Sequence, residues 1–235
     1  MPLLWLPHNR GAGAVSSRQS ATSGASAGIY VRYGKRVLDL FLSAIGLLVL
    51  SPVLAWIACC IKLTSPGAVL YRQIRVGQNG RPFQILKFRS MLVDAPTPGS
   101  GITVSGDKRV TRVGRLLRRH KLDELPQLWN VLLGDMSLVG PRPELPIYVD
   151  AYTPQQRLVL SARPGITDPA SLAYRHEEEI LASHADPEAF YRSEILPDKL
   201  ARNAAYIQAA SLKGDLHIIL ETLLCSFLFP HRARE

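Results

Sequence analysis

The sequence predicts an α+β protein that is predominantly helical: an N-terminal re-entrant membrane helix with a Ser-Pro break, a small β-hairpin, and a helical body on the cytoplasmic face. Three observations lead there. An apolar run without charge carries Ser51-Pro52 near its middle and has cations on both flanks. Two β-rich runs bracket Asn79-Gly80. Much of the remaining chain has the apolar spacing of helices. The corresponding division is 1–30 as a tail, 31–63 as the membrane helix and 64–230 as the body.

A chain of 235 residues holds one substantial domain plus an anchor, or two small domains. Its formal net charge of +9 points to phosphate-bearing partners: nucleic acid, anionic lipid or phosphorylated metabolites. Hydrophobic residues make up 47% of the chain, ordinary for a globular protein, so its greasiness is local. Cys59, Cys60 and Cys225 have no metal-type spacing and two of them lie in the apolar run, so no disulfide framework is expected. At the N-terminus, MPLLWL is too short for the core of a secretory signal and no positive region precedes it. The Ser/Ala/Gly-rich stretch 16–28 predicts a disordered tail.

Between Asp39 and Lys62 lie 22 residues without a charge. As a straight helix they extend roughly 33 Å, against a hydrocarbon core of about 30 Å, so hydropathy alone reads as a single crossing. Two features favour a helix that goes in and turns back. Pro52 stands thirteenth of the 22. It cannot donate to the Leu48 carbonyl and its ring pushes on that group, at roughly 3 kcal/mol in an ordinary helix; Ser51 can bond back to the Leu47 carbonyl and ease the defect. Arg32, Lys35 and Arg36 precede the run while Lys62, Arg72 and Arg75 follow it. Positive charge marks the cytoplasmic side, and both ends carry it. Lys35 and Arg36 also stand four and three residues before Asp39, spaced to neutralise it.

Downstream, the runs flanking Asn79-Gly80 within residues 69–91 form the predicted hairpin. Residues 93–108, rich in Gly, Pro and Ser, read as a flexible loop. Arg109, Arg112, Arg115 and Arg118 recur every third residue and make a broad basic face on a helix: a solvated surface, a lipid contact or a pyrophosphate site. Asp123 reads as an N-cap with Glu124 in the first turn; Leu125, Leu128, Trp129 and Leu132 line one face and Gly134 ends the helix. SLVGPRPEL and RPGITDP are proline-constrained loops, each presenting an arginine. Helical patterns follow at 176–184, 187–194, 197–211 and 215–229; the last is too short for a crossing and reads as a membrane-surface or core helix.

Acidic residues that cap a helix are commonplace, but Asp123-Glu124 is densely preceded by cations. Neighbouring carboxylates raise each other's pKa, yet a shift of about 2 from near 3.9 leaves both largely ionised at neutral pH. Such a pair suits Mg²⁺, which accepts one or two carboxylates plus phosphate oxygens. An ionised aspartate can also attack a phosphoryl centre.

The strings KRVLDL, LSP, RQIRVGQNGRPFQILKFRSM, RRHKLDELPQLWNVLLGDMSLVGPRP and RPGIT, in this order from about Lys35 to Phe227, resemble the bacterial sugar transferase family. These monotopic phosphoglycosyl transferases move a phosphosugar from a UDP-sugar to polyprenol phosphate. The resemblance implies that Ser51-Pro52 is the break of a re-entrant helix, that Asp123 is the nucleophile on the β-phosphate with release of UMP, and that Glu124 helps hold Mg²⁺. Arg75, Lys87, Arg89, Arg118 and Arg142 fall in matching motif positions and are assigned to phosphate or carboxylate contacts. Lys87 and Arg89, two apart on a strand, would share a face. Expected partners are UDP-sugar, undecaprenol phosphate and anionic membrane lipids, with no nucleic acid, at the bacterial inner membrane. After RPGIT, where many family members have glycine and an aromatic, Asp168-Pro169-Ala170 follow, so sugar identity does not transfer across this loop. The competing reading is a membrane-tethered, non-enzymatic protein whose basic helix docks nucleic acid or anionic lipid. It leaves Asp123-Glu124 and the arginine–proline loops without a role.

Overall fold

The computed structural model describes Gly28 and residues 30–92, 103–104 and 106–227. Nearly all of the predicted tail and most of the predicted loop 93–108 lie outside the described residues. In chain order, a π-helical turn at Tyr30–Gly34 leads into α1, Lys35–Thr64. The hairpin β1, Leu70–Val76, and β2, Pro82–Phe88, follows. Then come α2 (Arg112–Arg119), α3 (Gln127–Leu133), β3 (Ser137–Val139), α4 (Pro146–Val149), β4 (Gly165–Thr167), α5 (Pro169–Ala173), α6 (Glu177–Ala182), α7 (Pro187–Phe190), α8 (Leu196–Ala209) and α9 (Leu212–Phe227). The fold is predominantly helical with two small sheets.

The hairpin forms where expected, antiparallel from Leu70 opposite Phe88 to Val76 opposite Pro82. Asn79 and Gly80 both take positive φ, 57° and 76°, which the reversal requires and which these two residue types tolerate. The hairpin is the strut of the body. Val76 enters a core with Tyr148, Tyr191 and Ile195; Ile85 packs with Val131 and Met136; Phe88 packs with Ile57, Ile61 and Leu117.

Each sheet has only two strands, so each leaves backbone groups at a free edge. Side chains cover them. The Asn130 amide accepts from Leu86 N at 3.0 Å and donates to Gln84 O at 2.8 Å. Asp39, buried at the start of α1, accepts from Leu138 N at 2.9 Å and from Ser137 Oγ at 3.0 Å.

β3 and β4 run parallel, and beyond them the chains approach to near contact. A Cβ on Gly165 would stand 2.1 Å from Gly140 N, and one on Gly140 would stand 2.4 Å from Arg163 O. Gly165→Ala is therefore expected to destabilise the protein by about 2–3 kcal/mol through backbone displacement, read as a lowered thermal midpoint in detergent. An unchanged midpoint would mean that this contact is slack.

Several local expectations are corrected. Ser51 Oγ donates to the Leu48 carbonyl at 2.7 Å, not to Leu47. It thus serves the very carbonyl that Pro52 deprives of its donor, and α1 is continuous through the break. Lys35 and Arg36 make no ion pair with Asp39, although the charges of both act on its carboxylate: Lys35 binds Asp215, and Arg36 donates to the carbonyls of Val131 and Leu132 at 2.6 and 3.1 Å. Asp123 does not cap α3, because Leu122–Glu124 forms a 3₁₀ turn and Pro126 occupies the cap position. Leu128 is buried on α3 as expected, but so are Gln127, Asn130 and Val131 while Trp129 is exposed, since the edge of β2 calls for an amide beside the apolar contacts. Gly134 does end the helix, at φ 98°. The basic series is broken: Arg109 lies before α2 and pairs with Asp107. At the sequence departure, buried Asp168 caps α5, accepting from Ala170 N at 2.9 Å and Ser171 N at 3.1 Å.

Candidate active site

The Asp123-Glu124 turn is set by its neighbours on both sides. Lys121, in the left-handed region at φ 56°, turns the chain out of α2, and the 3₁₀ turn then hands over to Pro126 and α3. Both carboxylates end up buried, each residue 8% exposed.

Two long-range cations meet there. Lys87, from β2, donates to Glu124 Oε1 at 2.8 Å. Arg142, held between Pro141 and Pro143 just beyond β3, donates to the same oxygen at 2.6 Å and to Oε2 at 3.4 Å. Asp123 receives no such clamp: its buried Oδ1 finds no hydrogen-bond partner among the described residues.

This asymmetry divides the pair electrostatically. For Glu124, burial alone would raise the pKa, but the Arg142 and Lys87 cations outweigh it and hold the carboxyl well below the usual range. For Asp123, burial first and the Glu124 charge second push the pKa up, with Lys87, Lys121 and Arg118 opposing. Arg142 is held above its ordinary value by the Glu124 charge, whereas burial lowers Lys87 despite that charge. Sequence reasoning had both carboxylates raising one another; the two outside cations make the outcome unequal.

The other predicted residues are less central. Arg75 lies behind the Arg142 loop, donating to Pro143 O at 3.1 Å and to Gln73 Oε1, with Glu144 at 3.8 Å. It braces that loop rather than meeting the carboxylates. Arg118 pairs with Glu178 and reaches Asp123 only through its field. Arg89 turns away from Lys87: its Nη2 donates to Ser65 O and Oγ, both at 2.8 Å, at the C-terminal end of α1. It follows the last residue of β2, where the strand's alternation no longer holds. Ser51 and Pro52 are exposed on α1.

Two contributors were missed. Lys121 is one, and no sequence signal marks a lysine for left-handed geometry. Asn130 ties α3 to β2, and so the Asp123-Glu124 turn to Lys87. A polar residue among apolar ones on a short helix was the available clue.

Among the described residues no group of three or more His, Cys, Asp or Glu side chains could hold a metal ion. The unpartnered Asp123 Oδ1 and the weakly engaged Glu124 Oε2 fit a divalent ion that takes its remaining ligands from phosphate and water.

Residues 30–228 match the family described as bacterial sugar transferase. The chain is 43% identical over 193 residues to UDP-glucose:undecaprenyl-phosphate glucose-1-phosphate transferase of Caulobacter vibrioides, covering 80% of this chain and 68% of that protein. It is 38% identical over 192 residues to UDP-N-acetylgalactosamine-undecaprenyl-phosphate N-acetylgalactosaminephosphotransferase of Aeromonas hydrophila, 80% of this chain but 42% of that protein. It is 39% identical over 197 residues to the exopolysaccharide production protein PSS of Rhizobium leguminosarum bv. phaseoli, 81% of this chain and 93% of that protein. Beside a buried carboxylate pair split by cations from strand β2 and from the loop after β3, a match over residues 30–228 establishes that the chain belongs to the bacterial sugar transferase family.

Proposed function

We propose that the protein transfers a phosphosugar from a UDP-sugar to polyprenol phosphate, releasing UMP, as the first step of glycoconjugate or polysaccharide assembly. The observation that carries this reading is the unequal pair: Glu124 has its charge taken up by Lys87 and Arg142, while the neighbouring Asp123 keeps an oxygen free. Asp123 attacks the β-phosphorus, the bond to the α-phosphate oxygen breaks, and UMP leaves. Polyprenol phosphate then attacks the aspartyl-phosphosugar, restoring the carboxylate and giving the lipid diphosphosugar. The Arg142 fork and Lys87 border the place where the diphosphate charge would lie. Glu124 would help hold Mg²⁺, which would supply charge neutralisation for the diphosphate. Relatives with different donor sugars in their names match at similar identity, so the donor is left to experiment.

With these substrates the protein would work at the cytoplasmic leaflet of the inner membrane, with α1 as a re-entrant helix. The contacts of α1 support this. Its first turns bind Val131, Leu132 and Leu138, while Ile57 and Ile61 near its other end pack with Phe88 and Leu117. A crossing helix would separate those ends by about 30 Å of hydrocarbon, yet one body touches both.

Two measurements test the proposal. Solubilised protein with polyprenol phosphate, Mg²⁺ and a panel of UDP-sugars should release UMP with one donor and stop on chelation; silence from folded protein across the panel would sink the transferase reading. Single cysteines placed at residues 31 and 67 should both react with a membrane-impermeant maleimide only from the cytoplasmic side; labelling of either from outside the cell would mean a crossing.

A further inference from the structure

The sequence presents two arginine–proline loops, and only one serves the carboxylates. Arg142 turns to Glu124, whereas Arg163 lines a separate cavity of about 230 Å³ beside the first turn of α1. The Arg163 guanidinium makes no hydrogen bond or ion pair among the described residues. Arg36, on the cavity wall, spends its donors on two carbonyl oxygens and its charge faces Asp39, whose buried carboxylate also lines the cavity but is taken up by Leu138 N and Ser137 Oγ. Lys35 lies there too, neutralised by Asp215. Val31, Ile207 and Ala210 add apolar surface to a lining that also holds Gln78, Ser161 and Tyr206.

We propose that this cavity binds the phosphate group of a membrane phospholipid, Arg163 holding the phosphate and the apolar lining residues the glycerol end. The inference rests on α1 being a membrane helix. Given that, the cavity sits where the helix meets the headgroup layer, at which lipid phosphate is the abundant anion. Its size also selects: cavities for whole drug-sized ligands begin at about 300 Å³, so this one suits a headgroup and not a nucleotide sugar. A planar guanidinium with free donors is suited to take two phosphate oxygens at once. The site is distinct from the Asp123-Glu124 pair but adjoins it along the chain, since Val139 and Gly140 line the cavity and Arg142 follows two residues later.

Native mass spectrometry of the delipidated full chain in detergent tests this, with phosphatidylglycerol, the phosphate-free lipid monogalactosyldiacylglycerol, and inorganic phosphate as probes. One phosphatidylglycerol per chain should be retained, at least about tenfold more strongly than the galactolipid, a difference worth about 1.4 kcal/mol. Arg163→Ala should remove that preference, and Ala162→Trp, which fills the cavity without touching a charge, should do the same if the first variant fails to fold. Asp123→Asn should keep it. Equal retention of both lipids, retention unchanged in folded Arg163→Ala or Ala162→Trp, loss in Asp123→Asn, or phosphate bound as well as the lipid would each overturn the inference. Flotation of the wild type with vesicles is the separate check on the membrane reading. Protein that floats but retains no phospholipid rejects the cavity alone.

Discussion

Asp123→Asn is expected to abolish phosphosugar transfer, with kcat lower by about 10⁴-fold or more, the scale seen when a covalent nucleophile is lost. The fold should survive. Burial and the Glu124 charge both disfavour the ionised Asp123 carboxylate, and its Oδ1 has no partner among the described residues. A neutral amide of the same shape relieves that cost, so the thermal midpoint should hold or rise, as at other functional sites that trade stability for activity. The wild type, given donor sugar without polyprenol phosphate, should gain the mass of one phosphosugar, labile to hydroxylamine as an acyl phosphate is; the variant should gain none. Turnover in the variant near the wild-type rate would remove Asp123 from the chemistry.

Arg142→Met should lower both activity and stability. Glu124 is buried and its charge is shared between Lys87 and Arg142, so removing the stronger partner leaves a carboxylate that burial penalises. Breaking a buried pair costs about 3–5 kcal/mol, and the partial exposure of Arg142 places the loss near about 3 kcal/mol. Arg142→Lys should recover part of the stability but less of the activity, because it keeps the charge without the two-pronged fork. Thermal denaturation alongside UMP release separates the two effects. If Arg142→Met melts like the wild type, the pairing with Glu124 contributes little and the division of the two carboxylates needs another cause.

Legibility in the sequence followed the range of the interaction. Asn79-Gly80 between β-rich runs and Gly134 after α3 each act through the backbone within a few residues, and each behaved as read, whereas α1 runs unbroken through Pro52. Misreadings arose where a side chain chose among nearby partners. Ser51 took Leu48 instead of Leu47, and Lys35 left Asp39 for Asp215, far along the chain. Helical spacing gave α3 an apolar face, but a two-stranded sheet with an open edge drew Asn130 inward. Lys87 and Arg89 were placed on one face by strand alternation, and the strand stops between them at Phe88.

Taken alone, the sequence determined the composition of the candidate site: adjacent carboxylates, arginines suited to phosphate, and an apolar segment with a proline near its middle. Those features depend on residue type and short spacing, which are properties of the chain itself. Only the tertiary structure decided which cation meets which carboxylate. Lys87 reaches Glu124 because β2 is pinned to α3 by Asn130, and Arg142 reaches it because β3 is held between Asp39 and β4. Those partners lie 37 and 18 residues from Glu124, so the inequality between Asp123 and Glu124 comes from packing that no local pattern encodes.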